Sequence, residues 1–365
     1  MVIEAVLTAA IQRVLERGLL DWGPEVPAFE QEFAAWIGVP YAVGAASGTA
    51  ALRLALLALG IGPGDEVITV PNSDISTTAA IHHVGARAVW VDVESDTMNM
   101  DPALVEQAIT PRTRALLPVH LYGHPADMPN LTAIARRHDL YVIEDACLAL
   151  GASIDGVPVG AWGDLACFSH APSKHLGACG SAGTVVTASA ALVEQLQLHA
   201  GYGQQRARSY ERALAGTGQH FLVEGRNERL DELQAAILRA KLPRLSGAIA
   251  DRCAHAEAYT AALSGLPITL PRPRPGAVHT YRNYVIRVNE RAAVQHHLAE
   301  RGIATSVIYI PPLHLQPAYR HLGHGPGSFP VTEQAAAELI ALPIGPDLGV
   351  ETRDAVIAGL HAILQ

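Results

Sequence analysis

Apolar residues in this chain fall into short runs separated by longer stretches with helical spacing. EVITV, AVWVDV, LYVIEDA and GTVVTA are the clearest runs. Residues 2–17 predict an amphipathic helix, which DWGPEV then breaks. From about residue 40 the pattern alternates: helix 51–59, strand 66–70, helix 76–84, strand 88–93, helix 102–108, strand 114–119, helix 130–138 and strand 140–144. This alternation predicts βαβ units, an α/β fold with a mainly parallel sheet between helices. FS at 168–169 and GTVVT at 183–187 predict two further strands, and a helix begins near 229 in RLDELQAAILRAKL. GLPITLPRPRPGAV then ends the helical pattern near 265–279, with PRPRPG as a stiff connection. Beyond it HTYRNYVIRV, a helix at 290–301, a strand near 304–309 and helices at 331–341 and 351–364 predict a smaller C-terminal α+β domain. The expected division is 1–245 for the large α/β domain with its N-terminal helix, and 246–365 for a linking helix and the small domain.

Composition narrows this picture. Of 365 residues 49% are apolar and 17% charged, enough for a sizeable core. No run approaches the roughly 20 apolar residues of a membrane span, and the start lacks the basic-then-apolar shape of a signal peptide, so the expectation is a soluble, cytoplasmic protein without a membrane partner. The net charge of −9 argues against nucleic-acid binding, which needs a basic surface. Cys147, Cys167, Cys179 and Cys253 have no CxxC spacing, so reduced, semi-buried thiols are expected, with no metal site. The adjacent pairs His82–His83 and His296–His297 are expected to be solvated.

Three short segments can carry chemistry. In CFSHAPSKHLGACGSAG, Lys174 stands among small and hydroxyl residues between a strand end and a glycine-rich turn. A lysine drawn out of water loses part of its preference for the charged form, which makes neutral amine available for a Schiff base. The bland alternative is a lysine reaching to solvent from a strand edge. IEDACLALGA ends a strand with Glu144–Asp145, where parallel sheets bind ligands. A carboxylate there either holds a protonated pyridine nitrogen or caps the next helix. AASGTAALRLALLAL places Ser47, Gly48 and Thr49 before a helix, giving free N–H groups and a hydroxyl suited to phosphate, although any capped helix looks similar.

With these segments in this order, the chain resembles the DegT/DnrJ/EryC1/StrS sugar aminotransferases, a family of fold-type I pyridoxal phosphate enzymes. The resemblance runs through GPEVPAFEQEFAAWIGVPYAVGAASGTAAL, LGIGPGDEVITVP, ITPRTRALLPVHLYGHPADM, VIEDACLALGA, CFSHAPSKHLGACGSAGTVVT, EGRNERLDELQAAILRAKL and IYIPPLHLQPAY. It implies pyridoxal 5'-phosphate as cofactor, with Lys174 as the lysine that joins it and moves the proton, and Asp145 as partner of the ring nitrogen. Gly48, Thr49 and Ser169 would contact the phosphate. Asn227 would reach the phosphate from a second subunit, which implies a homodimer with shared active sites. Tyr309 and His314 match positions near the sugar in many members. Arg226, Arg229 and Arg282 are candidates for the phosphates of a nucleotide-linked substrate. The implied reaction moves an amino group from Glu or Gln to a keto-sugar, of the kind made in natural-product pathways such as antibiotic biosynthesis.

The chain also departs from the family pattern. Where an aromatic residue usually stacks on the ring, PNSDISTTAAIHHVGA offers Asp74 or Ile75. Leu148 stands where glutamine is common, and His170–Ala171 where paired aromatics are frequent. Three classes therefore stay open: an aminotransferase, another pyridoxal phosphate reaction of lyase or dehydratase type on a sugar or cyclitol, and a non-catalytic relative. The retained Lys174 favours the first.

Overall fold

The computed structural model describes residues 2–204 and 220–365. Its centre is a seven-stranded sheet of β1 (Tyr41–Ala45), β2 (Glu66–Thr69), β3 (Arg87–Trp90), β4 (Thr113–Leu116), β5 (Tyr141–Asp145), β6 (Leu165–Ser169) and β7 (Gly183–Thr187). The spatial order is β1-β7-β6-β5-β4-β2-β3. Strand β7 runs antiparallel to both of its neighbours, and every other pairing is parallel. The predicted α/β class is thus the observed one.

Both faces of the sheet are covered, which is why its strands read as short continuous apolar runs. One face presents Val43, Val67, Ala115, Ile143, Cys167 and Val185 to α3 (Gly48–Ala58), α4 (Ile75–His83) and α7 (Ala190–Ala200). The opposite face packs on α6 (Met128–Arg137) through Ile68, Leu116 and Val142. It packs on α2 (Glu25–Ile37) and α8 (Glu232–Lys241) through Ala42, Ala166, Phe168 and Val186. Phe29, Phe33 and Phe168 are wholly buried there, each stabilising the fold by about 1.5–3 kcal/mol through loss of apolar surface from water. Helix α1 (Val2–Arg17) lies on α8 through Ala10 and Val14, and α5 (Pro102–Ala108) lies beside α6. Among the described residues no helix is long and apolar enough to cross a membrane.

Helix starts are set by side-chain caps. Ser47, Asp74, Asp101, Asp127, Ser189 and Asp231 each accept a first-turn N–H, satisfying donors that the helix leaves free. The Ser47 cap explains why α3 begins at Gly48, three residues before its apolar periodicity becomes visible.

A second core joins α9 (Leu245–Leu263), α10 (Arg291–Glu300) and α12 (Val350–Leu364) to the antiparallel pair β8 (Tyr284–Arg287) and β9 (Leu339–Leu342). Four expectations are corrected here. The helix predicted at 331–341 is α11 (Pro330–Glu338), and LIAL continues as β9 because YVIR offers a paired strand. An apolar run this short suits either state, so the partner decides. The strand predicted near 304–309 is reduced to one bridge, Ser306 to Ala341, after which the chain turns irregular. In each histidine pair only His83 and His296 are exposed; His82 is half-buried against Tyr319, with ring centres 5.5 Å apart, and His297 is half-buried too. The thiols also differ, Cys167 being buried and Cys179 exposed. PRPRPG is anchored through Arg274, which pairs with Glu94 at 2.6 Å and Asp127 at 3.0 Å.

Candidate active site

Four chain segments meet at the carboxyl ends of the strands. They are the β1–α3 turn, the loop from β2 into α4, the ends of β5 and β6 with their following loops, and the irregular segment around 309. Between them lies a cleft of about 290 Å³ whose walls include Gly48, Thr49, Asp145, Ser169, Lys174 and Tyr309. Six of the eleven residues named as site candidates are therefore brought together.

The chain contains two lysines. Lys241 Nζ donates to Gly177 O at 2.6 Å. Lys174 lies half-buried in the cleft wall, and its Nζ has no hydrogen bond or ion pair among the described residues. Its backbone N–H bonds Ala171 O at 2.8 Å, closing the turn that directs the side chain across the strand ends.

Asp145 is 3% exposed. Thr77 Oγ1 donates to its Oδ2 at 2.7 Å, and the Cys147 N–H donates to Oδ1 at 3.2 Å. Thr77 has one hydroxyl proton and spends it on the carboxylate, so Ser73, 2.7 Å away, must donate to Thr77. This Ser73–Thr77–Asp145 relay fixes the carboxylate while leaving acceptor capacity on Oδ1. Sequence reasoning missed it; the available signal was the i, i+4 spacing of Ser73 and Thr77 in NSDISTT.

The α3 N-terminus provides the phosphate cradle. Ser47 caps the Ala50 N–H at 3.1 Å, and the N–H groups of Gly48 and Thr49 stay outside the helical ladder. A Cβ on Gly48 would stand 2.7 Å from Ser169 Cβ and 3.2 Å from Cys147 Sγ, so only glycine permits this approach. A Cβ on Gly183 would come within 2.3 Å of Ser47 O, closing β7 against the same turn. Cys147, also in the wall, has its thiol pKa pushed up by burial and by Asp145. Together the free amine, the under-satisfied carboxylate and the cradle fit a flat phosphorylated pyridine aldehyde.

The departures now have positions. Asp74 faces the cleft, and Ile75 is 51% exposed on the first turn of α4. Asp74 is held as the helix cap, accepting the Ser76 N–H at 2.9 Å and the Ser76 hydroxyl. Leu148 lines the cleft, and the aromatic ring in the wall comes from Tyr309 instead. Burial, followed by the nearby Asp74 carboxylate, raises the Tyr309 phenol above its usual range. His170 is a core residue, edge-on to Phe29 and Phe33. Its Nδ1–H donates to Leu176 O at 3.1 Å and its Nε2 accepts from Thr184 Oγ1 at 2.8 Å. Burial lowers its pKa to about 4.

Three expected residues lie outside the protomer's own cleft. His314 is 1% exposed, packs on Phe329 and bonds Glu333 at 3.0 Å. Arg229 pairs with Asp21 at 2.6 Å and lies over the Trp22 ring. Asn227 belongs to a segment bonded to residues 199–202. The family resemblance implied a place near the sugar for His314 and a contact from a second subunit for Asn227, and Arg229 was a candidate for a substrate phosphate. Within the protomer, local partners hold all three away from the cleft.

The sequence model of the DegT/DnrJ/EryC1/StrS aminotransferase family matches residues 2–361. The chain belongs to that family. It is accordingly a pyridoxal phosphate-dependent aminotransferase. It is 48% identical over 354 residues to the erythromycin biosynthesis sensory transduction protein EryC1 of Saccharopolyspora erythraea, covering 97% of this chain and 94% of that one. It is 45% identical over 341 residues to the dTDP-3-amino-3,4,6-trideoxy-alpha-D-glucose transaminase of Streptomyces venezuelae, covering 93% and 87%. The crystal structure of S. venezuelae DesV in complex with a ketimine intermediate superimposes with a TM-score of 0.94 at 43% identity, covering 100% of this chain and 95% of that one.

Proposed function

We propose that this aminotransferase transfers the amino group of Glu or Gln to the keto group of a nucleotide-linked keto-deoxyhexose, working as a homodimer with shared active sites. The observation that carries the reading is the convergence of an unpaired Lys174 with Asp145 and the Gly48–Thr49–Ser169 cradle in one cleft. Similarity to sugar transaminases that act on dTDP-linked sugars supports the substrate class. The matched position of Asn227, outside the protomer's own cleft, suits a contribution to a partner's site, and the candidate Arg229 lies two residues along the same segment.

Pyridoxal phosphate, when bound, supplies an electron sink for the pair left when the donor loses its α-proton. The Gly48 and Thr49 N–H groups and the Ser169 hydroxyl would hold its phosphate. Asp145, steadied by Thr77, would keep a proton on the ring nitrogen. Lys174 Nζ takes the proton from the donor Cα, and later gives one to the carbon that receives nitrogen. Tyr309 lines the cleft and supplies the aromatic ring in its wall. Positioned acid–base catalysis of this type contributes about 10²–10⁴-fold.

The test is a visible spectrum of the purified protein with its cofactor, before and after Glu or Gln. A band near roughly 400–430 nm that shifts to shorter wavelength with either donor supports the reading. A dTDP- or UDP-linked keto-sugar should then restore the band and yield amino-sugar in equal amount to the keto acid. A band indifferent to both donors would overturn the donor assignment.

A further inference from the structure

Arg282 stands apart from the other cations at this end of the molecule. Its backbone is pinned to segments that adjoin the cleft. The Thr280 N–H donates to Gly123 O at 2.9 Å, and the Asn283 N–H to Tyr122 O at 3.1 Å. His175, next to Lys174, donates Nε2–H to Thr280 O at 3.2 Å. The Tyr122 hydroxyl donates to Ile308 O at 2.5 Å, immediately before Tyr309. Arg282 is thus carried between the residue that follows Lys174 and the residue that precedes Tyr309.

Its guanidinium makes no hydrogen bond or ion pair with any described residue, and its Nε is sealed from solvent without a partner. Neighbouring Arg252, by contrast, gives its N–H groups to Ile344 O at 3.0 Å and Tyr281 O at 3.4 Å. Arg252, Arg282 and Lys174 all act on a neutral His175, while Asp347 offsets part of the charge on Arg252 rather than on Arg282. Burial lowers the Arg282 pKa, and only the Tyr309 phenol opposes it. A half-buried guanidinium whose Nε is sealed without a partner is costly to keep. Its natural complement is an anion that arrives with a ligand, and its planar fork suits a carboxylate.

We propose that Arg282 binds the α-carboxylate of the amino donor. The proposal rests on the aminotransferase reading given above. That reaction brings two anions, the donor carboxylate and the diphosphate of the nucleotide sugar. The donor carboxylate is one bond from the carbon whose proton Lys174 moves, so it must lie beside Lys174. The diphosphate hangs across the sugar ring from the carbon being aminated, farther from that lysine. Asp74 and Asp145, the carboxylates in the cleft wall, repel a donor carboxylate, so binding needs a cation besides the reacting lysine.

The test compares wild-type holoenzyme with Arg282→Gln and Arg282→Lys. Calorimetric titration with α-methyl-L-glutamate measures donor binding without turnover, because this probe keeps the carboxylate and lacks the α-proton. Arg282→Gln should weaken the probe, and raise the KM for the donor, by ten- to a hundredfold. The KM for the keto-sugar and the affinity for pyridoxal phosphate should stay within twofold. Arg282→Lys should recover part of the loss. The Tm of Arg282→Gln should stay level or rise, since a half-buried unpaired charge is removed. Unchanged probe binding overturns the assignment. So does a loss confined to thymidine or uridine diphosphate affinity, or a lowered Tm with all constants falling together. A wild-type holoenzyme whose spectrum ignores every donor would instead remove the underlying aminotransferase reading.

Discussion

Glu144 and Asp145 are consecutive carboxylates on β5, and the molecule treats them in opposite ways. Alternation along a strand sends them to opposite faces of the sheet. Glu144 enters the closed layer on the α6 side and is 0% exposed. It accepts the N–H groups of Gly160, Trp162 and Gly163, each at 2.9 Å, and His120 Nε2–H at 3.0 Å. The Ala126 N–H donates to His120 Nδ1, which fixes that tautomer. Every acceptor site on Glu144 is filled, so it ties the 160–163 loop and the β4–α6 connection to the sheet. Asp145 enters the α3–α4 layer with one firm partner, Thr77, and one long one. Saturation makes a structural clamp. Incomplete satisfaction, in a cleft that also holds an unpaired lysine, leaves room for a ligand.

The comparison breaks most visibly if the two carboxylates are neutralised separately. Asp145→Asn should lower kcat/KM by about 10²–10⁴-fold while the urea midpoint stays close to wild type. Glu144→Gln should do the reverse: a loss of about 3 kcal/mol in urea unfolding, with kcat per folded molecule nearly unchanged, because an amide meets N–H donors placed for a carboxylate. Equal behaviour of the two variants would erase the distinction.

Thr77→Val sharpens it further. Removing one hydrogen bond to a charged group should weaken pyridoxal phosphate binding about tenfold and displace the pH at which the cofactor band changes. Thr77→Ser should restore both; a Val variant with unaltered affinity and pH profile would show that the relay has no positioning role.

The closed layer also predicts a pH dependence. Burial holds folded His170 at about 4, below its ordinary value of 6.5. As pH falls below about 6.5 the unfolded chain takes up this proton first, so stability is fully present above that pH and is lost as the pH falls towards 4. The slope from this group approaches about 1.4 kcal/mol per pH unit across the window. Urea unfolding at pH 7, 6 and 5 should show it, and His170→Phe should remove that part of the slope whatever its effect on absolute stability.

The smallest expected effect is at Leu148. Leu148→Gln places a polar group in the cleft beside Asp145 and should change cofactor affinity by less than about threefold, because neighbouring contacts already position the ring site. A tenfold gain on fluorescence titration would mark Leu148 as a real weakness of this site.

Much of this was legible in order and spacing. Alternating apolar runs fixed the α/β class, because strands buried on both faces and amphipathic helices leave different periodicities. Ser47-Gly48-Thr49, the Glu144–Asp145 pair and Lys174 were readable because each sits at an element end, where local chemistry is visible in a few residues; the family resemblance then singled out Asp145 and Ser169. Tertiary structure decided what depends on partners distant in sequence. It sent Asp145 rather than Glu144 to the cleft, and put Asp74 rather than Ile75 in its wall. It recruited Ser73 and Thr77, drew His314 to Glu333 and Arg229 to Asp21, and paired LIAL with YVIR as a strand. It also left Arg282 half-buried without a counter-charge. A side chain's type is local, but whether its hydrogen bonds and charge are satisfied is settled only when remote segments pack around it.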